Sequence, residues 1–116
     1  MFFRVGDVKD PVKTGIEAQI LDSSGKKGAM GAHDHGGIIS TVGAAKNMSR
    51  PPGQWNRMIV LCRGHHLVVD LNGHKIVDVQ LDTSAVKDRP LKGHIGLQDH
   101  GVPNTLRFRR ILLKEL

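Results

Sequence analysis

The sequence predicts an all-β protein, an antiparallel β-sandwich, on three observations. Asn72-Gly73 lies between two apolar runs, the strongest short-range signal for a β-hairpin. Residues 15–22 alternate apolar and polar side chains with a period of two. No segment keeps a helical period for long. Six or seven short strands punctuated by Gly, Pro and Asn are the pattern of a sandwich or barrel rather than of a layered α/β fold. At 116 residues the chain is one domain at most, residues 1–116.

Each element follows from its local chemistry. Phe2-Phe3-Arg4-Val5 reads as a strand, and residues 6–14, with Pro11, as a polar connection. In residues 15–22 the side chains of Ile16, Ala18 and Ile20 face the core, which leaves Glu17 and Gln19 together on the opposite, polar face. Residues 23–37 are a Gly- and Lys-rich loop with His33-Asp34-His35 at its centre. Residues 37–42 form a short strand candidate, and residues 46–53, with Arg50-Pro-Pro-Gly53, a turn-rich loop. Three consecutive antiparallel strands follow over 55–62, 66–71 and 75–81, the first burying Trp55. Residues 82–91 form a loop that includes a short helical turn. Residues 93–98 and 105–113 supply the closing strands.

Composition narrows the function classes. Hydrophobic residues make up 39% of the chain, enough for a small core and too many for a disordered segment. The net charge of +6 permits an anionic partner. Single-strand nucleic-acid binders, however, interleave basic residues with stacking aromatics. Here Arg107, Arg109 and Arg110 flank one aromatic, Phe108, and no nucleic acid is expected as partner. Cys62 is alone, which excludes an intramolecular disulfide. No apolar run approaches the length of a membrane span, and no secretory leader is visible at Met1. Phosphate-loop, dinucleotide and nucleophile-elbow motifs are absent.

Four groups of polar residues remain as candidates. His33 and His35, two apart, share a face if extended and are candidate ligands for a divalent metal, with solvated loop histidines as the competing reading. His65 and His66 point to opposite faces of a strand and read as surface residues. Glu17 beside Gln19 offers a carboxylate and an amide, suited to acid/base work and to holding hydroxyl groups, or to a solvated outer face. Gln98 and His100 share a face at a strand end, and the imidazole titrates near neutrality.

Several segments, taken in order, resemble one family. They are Phe2-Phe3-Arg4, Thr14-Gly-Ile-Glu-Ala-Gln-Ile-Leu-Asp22, Pro52-Gly-Gln-Trp-Asn-Arg-Met58, Leu71-Asn-Gly-His-Lys-Ile-Val77 and Lys92-Gly-His-Ile-Gly-Leu-Gln-Asp-His-Gly101. Phe108-Arg-Arg-Ile111 and Lys114-Glu-Leu116 close the series. The set resembles the 3-keto-disaccharide hydrolase family, whose fold is a concanavalin A-like lectin/glucanase jelly roll. Family members carry strands upstream of the segment that opens this chain, so the resemblance is to the C-terminal portion of the domain. A sandwich without those strands exposes edges and is expected to be unstable or to form homo-oligomers. Relatives are often exported.

The resemblance implies cleavage of a keto-sugar glycoside by elimination followed by hydration. It makes Glu17 and His100 the catalytic base and acid, Gln19 and Gln98 the hydroxyl-binding residues, and Arg4 the cation for the enolate oxygen. His33 or His35 would add from the loop, directly or through a divalent metal. The alternatives are a non-catalytic carbohydrate-binding module on the same fold, or an inactive remnant.

Overall fold

The computed structural model describes residues 1–101, 103 and 105–116. It contains two three-stranded antiparallel sheets and one helical turn, the β-sandwich expected. Strand β1 (Phe2–Val5) is the middle strand of the first sheet, between β2 (Ile16–Glu17) and β6 (His94–Gly96). Phe2 pairs with Glu17 on one side and with Gly96 on the other. Val5 pairs with His94, so three steps along β1 match two along β6. Arg4, at φ 52°, takes up the extra residue as a β-bulge.

The connection after β1 contains a single helical turn, α1 (Pro11–Thr14). Asp10 caps it by accepting from the Lys13 N–H at 3.2 Å, and Pro11 at its first position gives up no needed donor. β2 is shorter than the strand expected over 15–22. Ala18 still exchanges hydrogen bonds with Met1, and on its other edge the segment pairs with a loop. Ile39 N–H donates to the Glu17 carbonyl (3.0 Å), Gln19 N–H to Gly37 (2.8 Å), and Gly36 N–H to Gln19 (2.9 Å). Gly36 sits at φ +84°, and the Ile76 side chain occupies the place where a Cβ would stand.

The strand expected over 37–42 is instead a tight reversal. Ile38 and Val42 exchange two backbone hydrogen bonds, at 2.8 and 3.0 Å, across a turn in which Ser40 takes φ 60°. Left-handed backbone at Ser40 ends the extended conformation. Ile38 remains fully buried beneath the reversal.

The second sheet is a meander of β3 (Met58–Arg63), β4 (His66–Leu71) and β5 (His74–Gln80). Asn72 and Gly73 both have positive φ, 57° and 86°, the geometry of a two-residue type I′ hairpin. β3 begins at Met58 and not at residue 55, because the preceding loop is tied down by side chains. The Asn72 amide oxygen accepts from Arg57 N–H and that of Asn56 from Arg50 N–H, both at 2.9 Å. In β5 the register slips opposite Val69–Asp70, so Ile76 and Val77 both turn inward.

One core joins the two sheets. Phe3, Ile16 and Ala18 from the first pack with Leu67, Val69 and Leu71 from the second, closed by Ile38, Ile76 and Leu81. The strand expected over 105–113 does not form. Leu112 and Leu113 are 89% and 83% exposed, so no packed face drives the segment into a ladder. Trp55, expected to be buried, is 41% exposed, and the Arg109 guanidinium lies 4.0 Å from its ring centroid. Among the described residues no helix is long and apolar enough to cross a membrane.

Candidate functional site

The candidate site grows out of the first sheet. Antiparallel pairing places directly opposite residues on one face, so Glu17, Phe2 and Gly96 form a cross-strand row. The period of two carries Gln19 onto the same face as Glu17. Beyond β6 the chain brings Gln98 and His100 alongside. Asp99 accepts the Gly101 N–H at 2.9 Å, and this local turn bends the chain just after His100. The loop that pairs with β2 adds His33 and Ile39.

These side chains surround one cleft of about 200 Å³, lined by Glu17, Gln19, His33, Ile39, Gln98 and His100. Five of the seven residues singled out in the sequence therefore meet in one place. Among the described residues none of the five polar side chains is held by a side-chain hydrogen bond or ion pair. A carboxylate, two carboxamides and two imidazoles on a cleft wall can move protons and hold hydroxyl groups. Ile39 is the lining residue that sequence reasoning missed. Its signal was present, because Ile38 is a core residue and its neighbour must point the other way.

Two of the seven lie elsewhere. Arg4 donates from its guanidinium to the Gly64 carbonyl at 2.6 Å, across to the turn between β3 and β4, and does not line the cleft. The resemblance implied Arg4 beside the enolate; the β-bulge at Arg4 is the local irregularity of the strand that carries it. His35 is buried, with Nδ1 2.9 Å from the Leu21 carbonyl oxygen and its backbone N–H on Ser23 Oγ at 3.1 Å. Burial pushes its imidazole below the ordinary range.

The two loop histidines diverge because Asp34 anchors the turn between them. Its carboxylate binds Lys26 Nζ at 2.5 Å and the Gly31 N–H at 2.6 Å, contacts that hold it below the usual carboxylate range. His33 then points out to the cleft and His35 inward, so the paired metal ligands expected of them do not form. Among the described residues no group of three or more His, Cys, Asp or Glu side chains converges on a metal position.

No curated protein matches the chain. Among solved structures the chain is similar to a candidate glycosyl hydrolase from Parabacteroides distasonis ATCC 8503, at 30% sequence identity with a TM-score of 0.63. That likeness covers 70% of this chain and 43% of the other, so this chain spans under half the length of its structural neighbour. A family described as the 3-keto-alpha-glucoside-1,2-lyase-like domain matches residues 1–114, from the opening strand through the last basic residue, and the chain belongs to it.

Proposed function

We propose that this glycosyl hydrolase-like domain cleaves 3-keto-glycosides by elimination across C1–C2 followed by addition of water. The observation that carries this reading is the cleft in which Glu17 and His100 stand together with three further uncommitted polar side chains. The family description, a 1,2-lyase, names the same pair of carbons.

The chemistry assigns a task to each group. A carbonyl at C3 acidifies the proton on C2. Glu17 takes that proton, and the electrons form the C1–C2 double bond as the C1–O bond breaks. His100, as imidazolium, gives its proton to the departing oxygen. Water then adds to C1 of the enone while a proton returns to C2, giving the free 3-keto-sugar and an alcohol. Gln19 and Gln98 hold the sugar hydroxyls. His33, which lines the cleft where Arg4 does not, takes over as donor to the enolate oxygen, where the charge develops.

A purely sugar-binding module is the competing reading, and the exposed Trp55 is its support. Arg109, however, already lies over one face of that ring. Incubation of the purified protein with a 3-keto-glucoside in D₂O separates the two. Elimination and hydration release 3-keto-glucose carrying deuterium at C2. Binding without turnover, release without deuterium, or full activity in a Glu17→Gln/His100→Ala double variant would sink the proposal.

A further inference from the structure

Beside the polar cleft runs a second, larger depression of about 320 Å³, lined mainly by Phe2, Val5, Val8, Val12, Ile95 and Leu97. The two are neighbours on one sheet face. Gln98 lines both. Phe2, which floors the apolar groove, is the ladder partner of Glu17 in the cleft and of Gly96 in the groove. Val8 and Val12, each 63% exposed, rise on either side of the Asp10 cap and form the far wall.

We infer that this groove receives the leaving group of the glycoside, and that the group it fits is apolar, an alkyl or aryl aglycone rather than a second sugar. The inference rests on the cleavage reading above and adds the substrate's other half. At about 200 Å³ the cleft is below the usual ~300–1,000 Å³ of a ligand pocket. Whatever is bonded to the departing oxygen must therefore leave it along an open wall. The groove is the neighbouring depression on that side, with Gln98 at their shared edge. A second sugar there would need partners for several hydroxyl groups, and among the described residues the groove's polar side chains are only His94 and Gln98. Unpaired hydroxyls are penalised on burial, whereas methylenes gain from contact with valine and leucine side chains.

The test compares methyl, hexyl and glucosyl 3-keto-glucosides. Methyl and hexyl leaving groups have similar intrinsic reactivity, so their kcat/KM ratio reads contact and not chemistry. The wild type should favour hexyl over methyl by about tenfold, the order of discrimination that apolar pockets achieve. Hexyl should also exceed the disaccharide. The double variant Val8→Asp/Val12→Asp should bring the hexyl-to-methyl ratio close to one, and Val8→Ser/Val12→Ser replaces it if the charged variant fails to melt cooperatively. Equal rates for hexyl and methyl, a preference that survives the substitutions, or a preference for the disaccharide would overturn the inference. A concentration-dependent dimer abolished by the same substitutions would also overturn it, by making a second copy the occupant. If no glycoside is cleaved, the chemistry proposed above fails, and calorimetry decides the groove separately. Hexyl binding tighter than methyl and lost in the variant retains the groove assignment; equal affinities reject it.

Discussion

Glu17 and Gln98 line the same cleft from opposite edges of one three-stranded sheet, with β1 between them. The separation along the chain is large, and the bridge is the two-sided pairing of Phe2. The site is therefore only as well formed as the β1–β6 seam. A carboxylate on one edge and an amide beyond the other can grip a sugar from two sides, a geometry no single strand provides.

Glu17→Gln should reduce turnover of a 3-keto-glucoside by about 10²–10⁴-fold, the usual worth of a positioned general base. The amide keeps the shape and cannot take the C2 proton. The loss should fall on kcat more than on KM, because the C2 proton moves only in the transition state. Steady-state kinetics beside wild type check it, with exchange of the C2 proton into D₂O as the direct readout of base function.

Gly93→Ala should damage stability and activity together. A Cβ at this position would run into the Val5 carbonyl oxygen and the carbon of Arg4, both backbone atoms of β1. Backbone in the middle of a sheet cannot move aside as a flexible side chain can, so β6 must shift, and Gln98 and His100 shift with it. A loss of about 1–3 kcal/mol is expected from denaturant melts, as for other overpacked sites. A residual folded fraction should have lower activity than wild type at equal folded concentration.

Ile38→Ala should cost about 2–5 kcal/mol, since Ile38 is fully buried between the sheets and the reversal cannot collapse into the space left. Leu112→Ser, at a position 89% exposed, should change stability by no more than about 0.5 kcal/mol. Chemical denaturation of both variants checks whether stability resides in the two-sheet core or draws on residues 105–116.

Much of this was legible in the sequence, and the misses have physical causes. The meander is clear because Asn72-Gly73 allows one turn geometry between two apolar runs, although the slip that turns both Ile76 and Val77 inward is not visible in that pattern. The polar face of Glu17 and Gln19 is clear from the alternation of residues 15–22. Arg4 comes from the resemblance alone, and nothing in the sequence pattern shows the bulge at that position or the contact of its guanidinium with Gly64. His33 and His35 looked like a pair because spacing alone says nothing of a turn, and Asp34 gripping Lys26 and Gly31 creates one. The strand expected over 105–113 alternates only over 106–109; Arg110 takes φ 53°, and a ladder also needs a neighbour to pair with.

His35 predicts a pH dependence of stability. Its Nδ1 is 2.9 Å from the Leu21 carbonyl oxygen, and its buried Nε2 has no hydrogen-bond partner among the described residues. Burial lowers the folded-state pKa below the ordinary value of 6.5. In the window between the two values the unfolded chain holds more protons than the folded one, so stability falls as pH falls. The contribution is fully present above 6.5 and is lost as pH drops through the folded value. Asp34 and Asp78, lowered by their lysine partners, lose their own contributions only below 3.8, a separate and more acidic range. His35→Asn keeps a side-chain nitrogen near the position of Nδ1 and does not titrate. Thermal melts of the two proteins from neutral pH downward should therefore converge in slope above 6.5 and diverge below it, with wild type falling more steeply. Parallel slopes across that range would show that His35 holds its proton equally well in the folded and unfolded chain, and would overturn the prediction.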